Sequence, residues 1–165
     1  MTIEISKKEI FDEVEKRSAL EGRVLPERFD GVWASEDEGV FLDSYWVECC
    51  SAVVELFKRY LKGATFEHEL GKHDKDEVLS LVAQMPVRYN FALDGIVLTE
   101  LKMMMACNVL YRWLSVVQPE AAQKYDDESK GYMESVRTKL LYRDEPRWQK
   151  PKNRGMRDDV FIERG

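Results

Sequence analysis

Residues 109–125, VLYRWLSVVQPEAAQKY, set the architecture. Val109 to Val117 is the end of a helix, Gln118-Pro119 is a break, and a second helix starts at once. Pro119 suits the first position of that helix, where its missing N–H costs little. Trp113 continues an apolar stripe of the first helix, Leu93, Val97, Leu101, Met104, Met105, Asn108, Leu110, Trp113 and Val117. Tyr111 lies two residues from Trp113 and so points elsewhere, with its hydroxyl at an edge. The stretch therefore reads as a corner that packs two long helices antiparallel, a core rather than a pocket.

Upstream, Pro86 ends a strand and Asn90 caps this third helix, which spans Phe91 to about Val117. Met103-Met104-Met105 is adaptable core filler. Downstream, EAAQKYDDESKGYMESVRTKLLYR forms a fourth helix with Ala122, Tyr125, Ser129, Tyr132, Val136 and Leu140 on one face. Beyond Arg143 the chain has two prolines, two glycines and little periodicity, the composition of a tail without its own core.

Residues 64–85 read as strand, polar turn, strand, from TFEHEL through GKHDKD to EVLSLVAQM. A helix over 76–85 is the alternative. Before them, Ser35 and Glu38 have capping-box spacing. They open a long helix to about Leu61, stopped at Gly63. Its stripe is Leu42, Trp46, Cys49, Val53, Leu56 and Tyr60, widened by Phe41, Tyr45, Ala52 and Phe57. Ser6 and Glu9 repeat the capping box at a short first helix, which carries Ile10, Phe11 and Val14 and ends near Leu20 with Gly22 following. So thin a stripe needs another surface to lie on. The expected fold is mainly α: an antiparallel bundle of three long helices plus a short N-terminal helix, with a β-hairpin insertion near residues 64–85. The expected organisation is an N-terminal helical arm (1–34), a helical core domain with the hairpin (35–145) and a flexible C-terminal tail (146–165).

The 165 residues allow one core without staples, and 44% hydrophobic with 34% charged residues is an ordinary globular composition. No run of about 18 apolar residues is present, so no membrane span is expected, and no signal peptide is read at the N-terminus. The net charge of −6 argues against a generic nucleic-acid binder. The charge is also uneven. Residues 1–48 hold thirteen acids and six bases, and residues 137–157 hold eight bases and two acids. Opposed ends can associate head to tail, or can both be solvated faces.

Three cysteines without a CxxC read as reduced, buried residues. His68 and His73 stand among Glu67, Glu69, Asp74 and Asp76, yet His-x4-His on a turn matches no common ligand geometry. No phosphate loop, dinucleotide fingerprint, nucleophile elbow or zincin motif occurs. No enzyme, cofactor or metal is expected. Candidate protein-binding residues lie in the basic segment: Arg143, Arg147, Lys150, Lys152 and Arg154, with Trp148 as the apolar anchor.

The order of elements, and stretches such as MPVRYN (85–90), YRWLSVVQPE (111–120) and KLLYRDEPR (139–147), resemble small head-tail connector (neck) proteins of tailed bacteriophages, especially Bacteroidetes-type prophage proteins. The resemblance covers about residues 36–150. It implies a structural subunit of a ring between portal and tail, whose partners are portal or tail proteins and copies of itself. It also implies residence in the bacterial cytoplasm during assembly and then in the virion, with no membrane and no sequence-specific nucleic acid. The other class consistent with the residues is a small helical regulatory or protein-binding module, monomeric or dimeric.

Overall fold

The computed structural model describes residues 1–24, 33–34, 39–65, 74 and 76–144. The chain begins with a strand, β1 (Thr2–Ser6), that runs directly into helix α1 (Lys7–Val24). Helix α2 (Gly39–Phe57) follows, then strands β2 (Leu61–Thr65) and β3 (Val78–Ala83). A short 3-10 turn over Phe91–Leu93 leads into α3 (Asp94–Val117), and α4 (Pro119–Leu141) comes last. The described chain is thus mainly helical, with four helices and one small antiparallel sheet.

The sheet differs from the expected hairpin. It has three strands in the order β1-β3-β2, so the strand nearest the N-terminus pairs with β3, Thr2 opposite Val82 and Ser6 opposite Val78. The T-I-E-I-S alternation explains it. Ile3 and Ile5 are fully buried while Thr2 and Glu4 face outward, a half-buried strand of period two. The ladder runs on into the helix, because the Lys7 amide donates to the Glu77 carbonyl at 2.9 Å. β3 is paired on both sides, which settles residues 78–83 as strand rather than helix.

The other arm of the hairpin begins earlier than expected. α2 ends at Phe57, not Leu61, and Leu61–Thr65 is strand. A tight turn reverses the chain, with the Tyr60 amide donating to Phe57 O at 2.8 Å and Gln84 N donating to Tyr60 O at 2.7 Å. Pairing with β3 takes these residues from the helix. The register slips between Leu61 and Gly63, a bulge at the sheet edge. The expected strand TFEHEL lies, from Phe66 on, outside the described residues.

Helix α1 is not short. It has 18 residues against 19 in α2, and it continues through Gly22. Ile10 and Val14 join Ile3, Ile5, Leu79 and Leu81 in one core, so the segment read as an arm contributes a strand and a helix to it. On α2 the buried face is Leu42, Trp46, Cys49, Cys50, Val53 and Phe57, whereas Phe41, expected to widen it, is exposed.

α3 packs against α1, α2 and α4. Four consecutive residues, Met104 to Cys107, are buried, as a helix enclosed on several sides requires. Asn90 Oδ1 accepts from Ala92 N at 3.0 Å and so caps the 3-10 turn ahead of the helix. α3 and α4 run antiparallel about the Gln118-Pro119 break. Ser129 Oγ donates to Met104 O at 3.1 Å, and nearer the other end Lys139 Nζ meets both Glu100 carboxylate oxygens at 2.8 and 2.9 Å. The small hydroxyl of Ser129 lets the two backbones approach. Ala122, Tyr125, Ser129, Val136 and Leu140 are buried and Tyr132 half-buried, the face expected from the sequence. Trp113 is 8% exposed and Tyr111 half-buried, so the corner is core.

Candidate functional site

Of the six candidate binding residues, Arg143 lies among the described residues. Arg147, Trp148, Lys150, Lys152 and Arg154 lie outside them. Arg143 closes the end of α4. Its Nη1 donates to Leu140 O and to Tyr142 O, both at 2.7 Å, and its Nη2 donates to the Tyr60 hydroxyl at 3.3 Å. A cation on the last carbonyls of a helix satisfies acceptors that have no helical partner and complements the dipole. The same guanidinium ties α4 to the turn between α2 and β2.

Next to it the chain is clasped again. Asp144 N donates to Arg88 O at 2.9 Å, and Arg88 Nε donates back to Asp144 O at 2.8 Å. Inside this end, Tyr89 is buried, with its hydroxyl 4.0 Å from Met1 Sδ. Burial pushes the Tyr89 phenol well above its ordinary value, and the nearby Asp94 adds to this while Arg143 opposes it. The phenol is not an acid in the physiological range.

Around the clasp lie exposed apolar side chains. Val87 is 100% exposed, and Phe91, Leu141 and Tyr142 are each more than half exposed. They are four of the ten large exposed hydrophobics among the described residues, and all lie within three positions of Arg88 or Asp144. Scattered single exposed side chains are ordinary; a group gathered on two touching segments is a candidate contact surface.

A second feature is a buried charge centre that sequence reasoning missed. Lys7 is 0% exposed. Its Nζ lies 2.8 Å from Asp43 Oδ1, 3.1 Å from Glu77 Oε2 and 2.8 Å from the Asp74 carbonyl, and 5.7 Å from the Phe11 ring centre. It joins the β1–α1 junction, α2 and the entry to β3. The signal was present: Lys7, Ile10, Phe11 and Val14 share one helical stripe, so an amphipathic α1 buries the lysine with the isoleucine. Buried lysine is tolerated when its charge is paired and its protons are bonded, as they are here.

The three thiols are all buried. Burial pushes Cys49 up to about 12, with Arg112 opposing and Glu48 adding. Burial likewise pushes Cys107 up to about 12, although Arg17 Nη1 lies 3.6 Å away, and it raises Cys50 as well. A thiol so poised is not a thiolate nucleophile at neutral pH. His68 and His73 lie outside the described residues. Among the described residues no group of three metal-ligating side chains converges, and no helix is long and apolar enough to cross a membrane.

An open groove of about 570 Å³ runs along the outer side of α1, lined by Asp12, Lys16, Leu20 and Arg23 and by Trp33. Trp33 is held there because Ala34 N donates to Ser18 Oγ at 3.0 Å. No protein-family model matches the chain, and neither a curated protein nor a solved structure is similar to it.

Proposed function

We propose that this chain is a non-enzymatic assembly subunit of the phage head-tail connector kind, which forms a ring with copies of itself and docks on a portal or tail protein. In this reading its body is the antiparallel bundle of α2, α3 and α4, and its working surface is the end that carries the Arg88–Asp144 clasp. The observation that carries the reading is the group of exposed apolar side chains near that clasp, Val87, Phe91, Leu141 and Tyr142, taken with the basic composition of residues 137–157. An apolar centre with arginine and lysine around it has the composition of an interface whose charges set register and whose aromatics supply affinity. A ring needs a contact between two different faces of the subunit, and the acidic excess of residues 1–48 supplies a surface of opposite sign. The subunit would act in the bacterial cytoplasm and then in the virion.

The test is assembly. The chain, alone and with a portal-type protein, is followed by native mass measurement and electron microscopy. Rings of many copies are expected, and deletion of residues 146–165 should abolish them while the fold persists. Rings that form equally well without that segment exclude the mechanism. The second reading, a monomeric or dimeric protein-binding module, is favoured by the α1 groove with its mixed charge and Trp33 wall. A chain that stays at one or two copies and binds no virion protein would support that alternative.

A further inference from the structure

Helix α1 carries its charges in a fixed order along the side that faces the open groove. Asp12, Glu15, Lys16, Ala19, Leu20 and Arg23 recur at three and four residues and line that groove, with Trp33 beside them. The acids come first and the bases follow. Asp12 and Arg23 stand eleven positions apart, about 16 Å along the axis. The other three acids of α1 are paired within the chain: Glu9 with Lys102, Glu13 with Arg17 and Glu21 with Lys124. Among the described residues, Asp12, Glu15, Lys16 and Arg23 enter no ion pair. Leu20, 58% exposed, is the large apolar side chain that α1 leaves open to solvent.

We propose that this face of α1 is a two-fold contact with a second copy of the chain, in which the two α1 helices lie antiparallel. The order of charge selects that occupant. Antiparallel helices centred between Arg17 and Ser18 set Asp12 of each copy opposite Arg23 of the other, and Glu15 within about one turn of the other's Lys16. A parallel pair would set like charge on like. A two-fold contact needs a surface complementary to itself, and this stripe is one. Opposed helix dipoles favour the same orientation. Ala19 is small enough to let the helices approach, and Leu20 of each copy enters the groove beside the other's Ala19 and Trp33. Three turns of helix bury less than the roughly 1,200 Å² of a stable complex, so the pair is weak and its exposed charges make it sensitive to salt. The contact goes beyond the connector reading and does not rest on it. Pairing covers Asp12 and Glu15, two of the acids of residues 1–48, so a paired subunit holds part of its acidic surface away from a ring neighbour.

The experiment is sedimentation equilibrium of the full chain alone, in low salt, from about ten micromolar to about one millimolar protein. The average mass should rise with concentration and level off at two copies. Asp12→Arg turns two attractions into two repulsions and should weaken pairing about tenfold or more, and Arg23→Asp should do the same. Both positions are exposed, so neither variant removes a core contact, and unchanged circular dichroism verifies the fold. The double variant, Asp12→Arg with Arg23→Asp, keeps the net charge of −6 and should pair as the native chain does. A native chain that stays at one copy throughout overturns the proposal, and so does pairing that ignores both single variants. A double variant that fails to regain pairing shows that position 12 does not face position 23 and also overturns it. A mass that climbs past two assigns the face to a head-to-tail contact and overturns the two-fold. The connector reading falls separately, because its rings are tested with a portal-type protein and the deletion of residues 146–165, neither of which enters here.

Discussion

Lys7 and Arg143 are both cations that fasten distant parts of the chain, and they sit in opposite dielectric settings. Lys7 is sealed between β1, α1, α2 and the start of β3, with two carboxylates and one carbonyl on its ammonium. Arg143 is half-buried and spends its donors on two carbonyls and a hydroxyl. In the first place the partners must carry charge, because an ammonium taken out of water needs compensation of its own kind. In the second, water shares the task and neutral acceptors suffice. The difference separates a region whose chemistry is committed to holding the fold from one whose surface remains available.

The strongest way to break that contrast is to remove the two cations in turn. Lys7→Ala leaves Asp43 and Glu77 without its charge in a buried site and is expected to cost about 3–5 kcal/mol in urea unfolding. Combining Lys7→Met with Asp43→Asn and Glu77→Gln should recover much of that loss, since an uncharged trio has little to desolvate. A loss for Lys7→Ala below about 1 kcal/mol, the range of surface pairs, would mean that water reaches the site.

The thiols sharpen the comparison through pH. Cys49 and Cys107 have folded values near 12, raised by burial above the ordinary 9.0. Their protonated forms favour the folded state fully below about pH 9, and that contribution is lost as pH rises toward 12. Stability should therefore fall with alkaline pH, and a variant with all three cysteines changed to alanine should show a flatter curve. In the native protein a thiol reagent at neutral pH should label none of the three until urea is added. Rapid labelling of Cys107 without denaturant would show that the α1–α3–α4 junction opens.

Arg143→Ala should cost about 1 kcal/mol, because the acceptors it leaves can turn to water. Its sharper signature is local: amide exchange in the last turn of α4, Thr138 to Tyr142, should speed up while α3 stays protected. The smallest effect is expected at Glu21. Its burial acts to raise the carboxyl pKa, but the hydrogen bond from the Tyr125 hydroxyl at 2.7 Å and the nearby Lys124 outweigh it and hold the group below the ordinary 4.5. Glu21→Gln should lose a little stability at pH 7. Native and variant should then converge as pH falls below 4.5, because protonation removes what the substitution removed. A gap that stays constant with pH would assign the effect to packing.

The helices were legible where side chains repeat and punctuation is explicit. Pro119 and Asn90 mark starts, and the stripe from Val97 to Trp113 survives in the core almost residue for residue. β1 was not recognised because no glycine, proline or turn separates Ser6 from Lys7, so five alternating residues merge into the helix that follows. β2 was displaced because Leu-Lys-Gly-Ala-Thr has no buried alternation of its own; its pairing with β3 alone makes it a strand. The role of Arg143 depended on where α4 stops and on Tyr60, which is 83 positions away. Lys7 was readable as a position on a stripe but not as an ion-pair centre, since Asp43 and Glu77 reach it only through the fold.

The place of β1 also bears on how the molecule comes into being. Its ladder starts with Ala83 N donating to Met1 O at 2.9 Å, between residues 82 positions apart. As the chain leaves the ribosome, α1 and α2 emerge before any strand exists to receive β1. Ile3 and Ile5 must then wait, unpaired, until β3 has followed. Closing so large a loop is an entropic step that local helix formation does not need. The helices should therefore form early and the sheet late, and β1 would be among the last elements to reach its final partner.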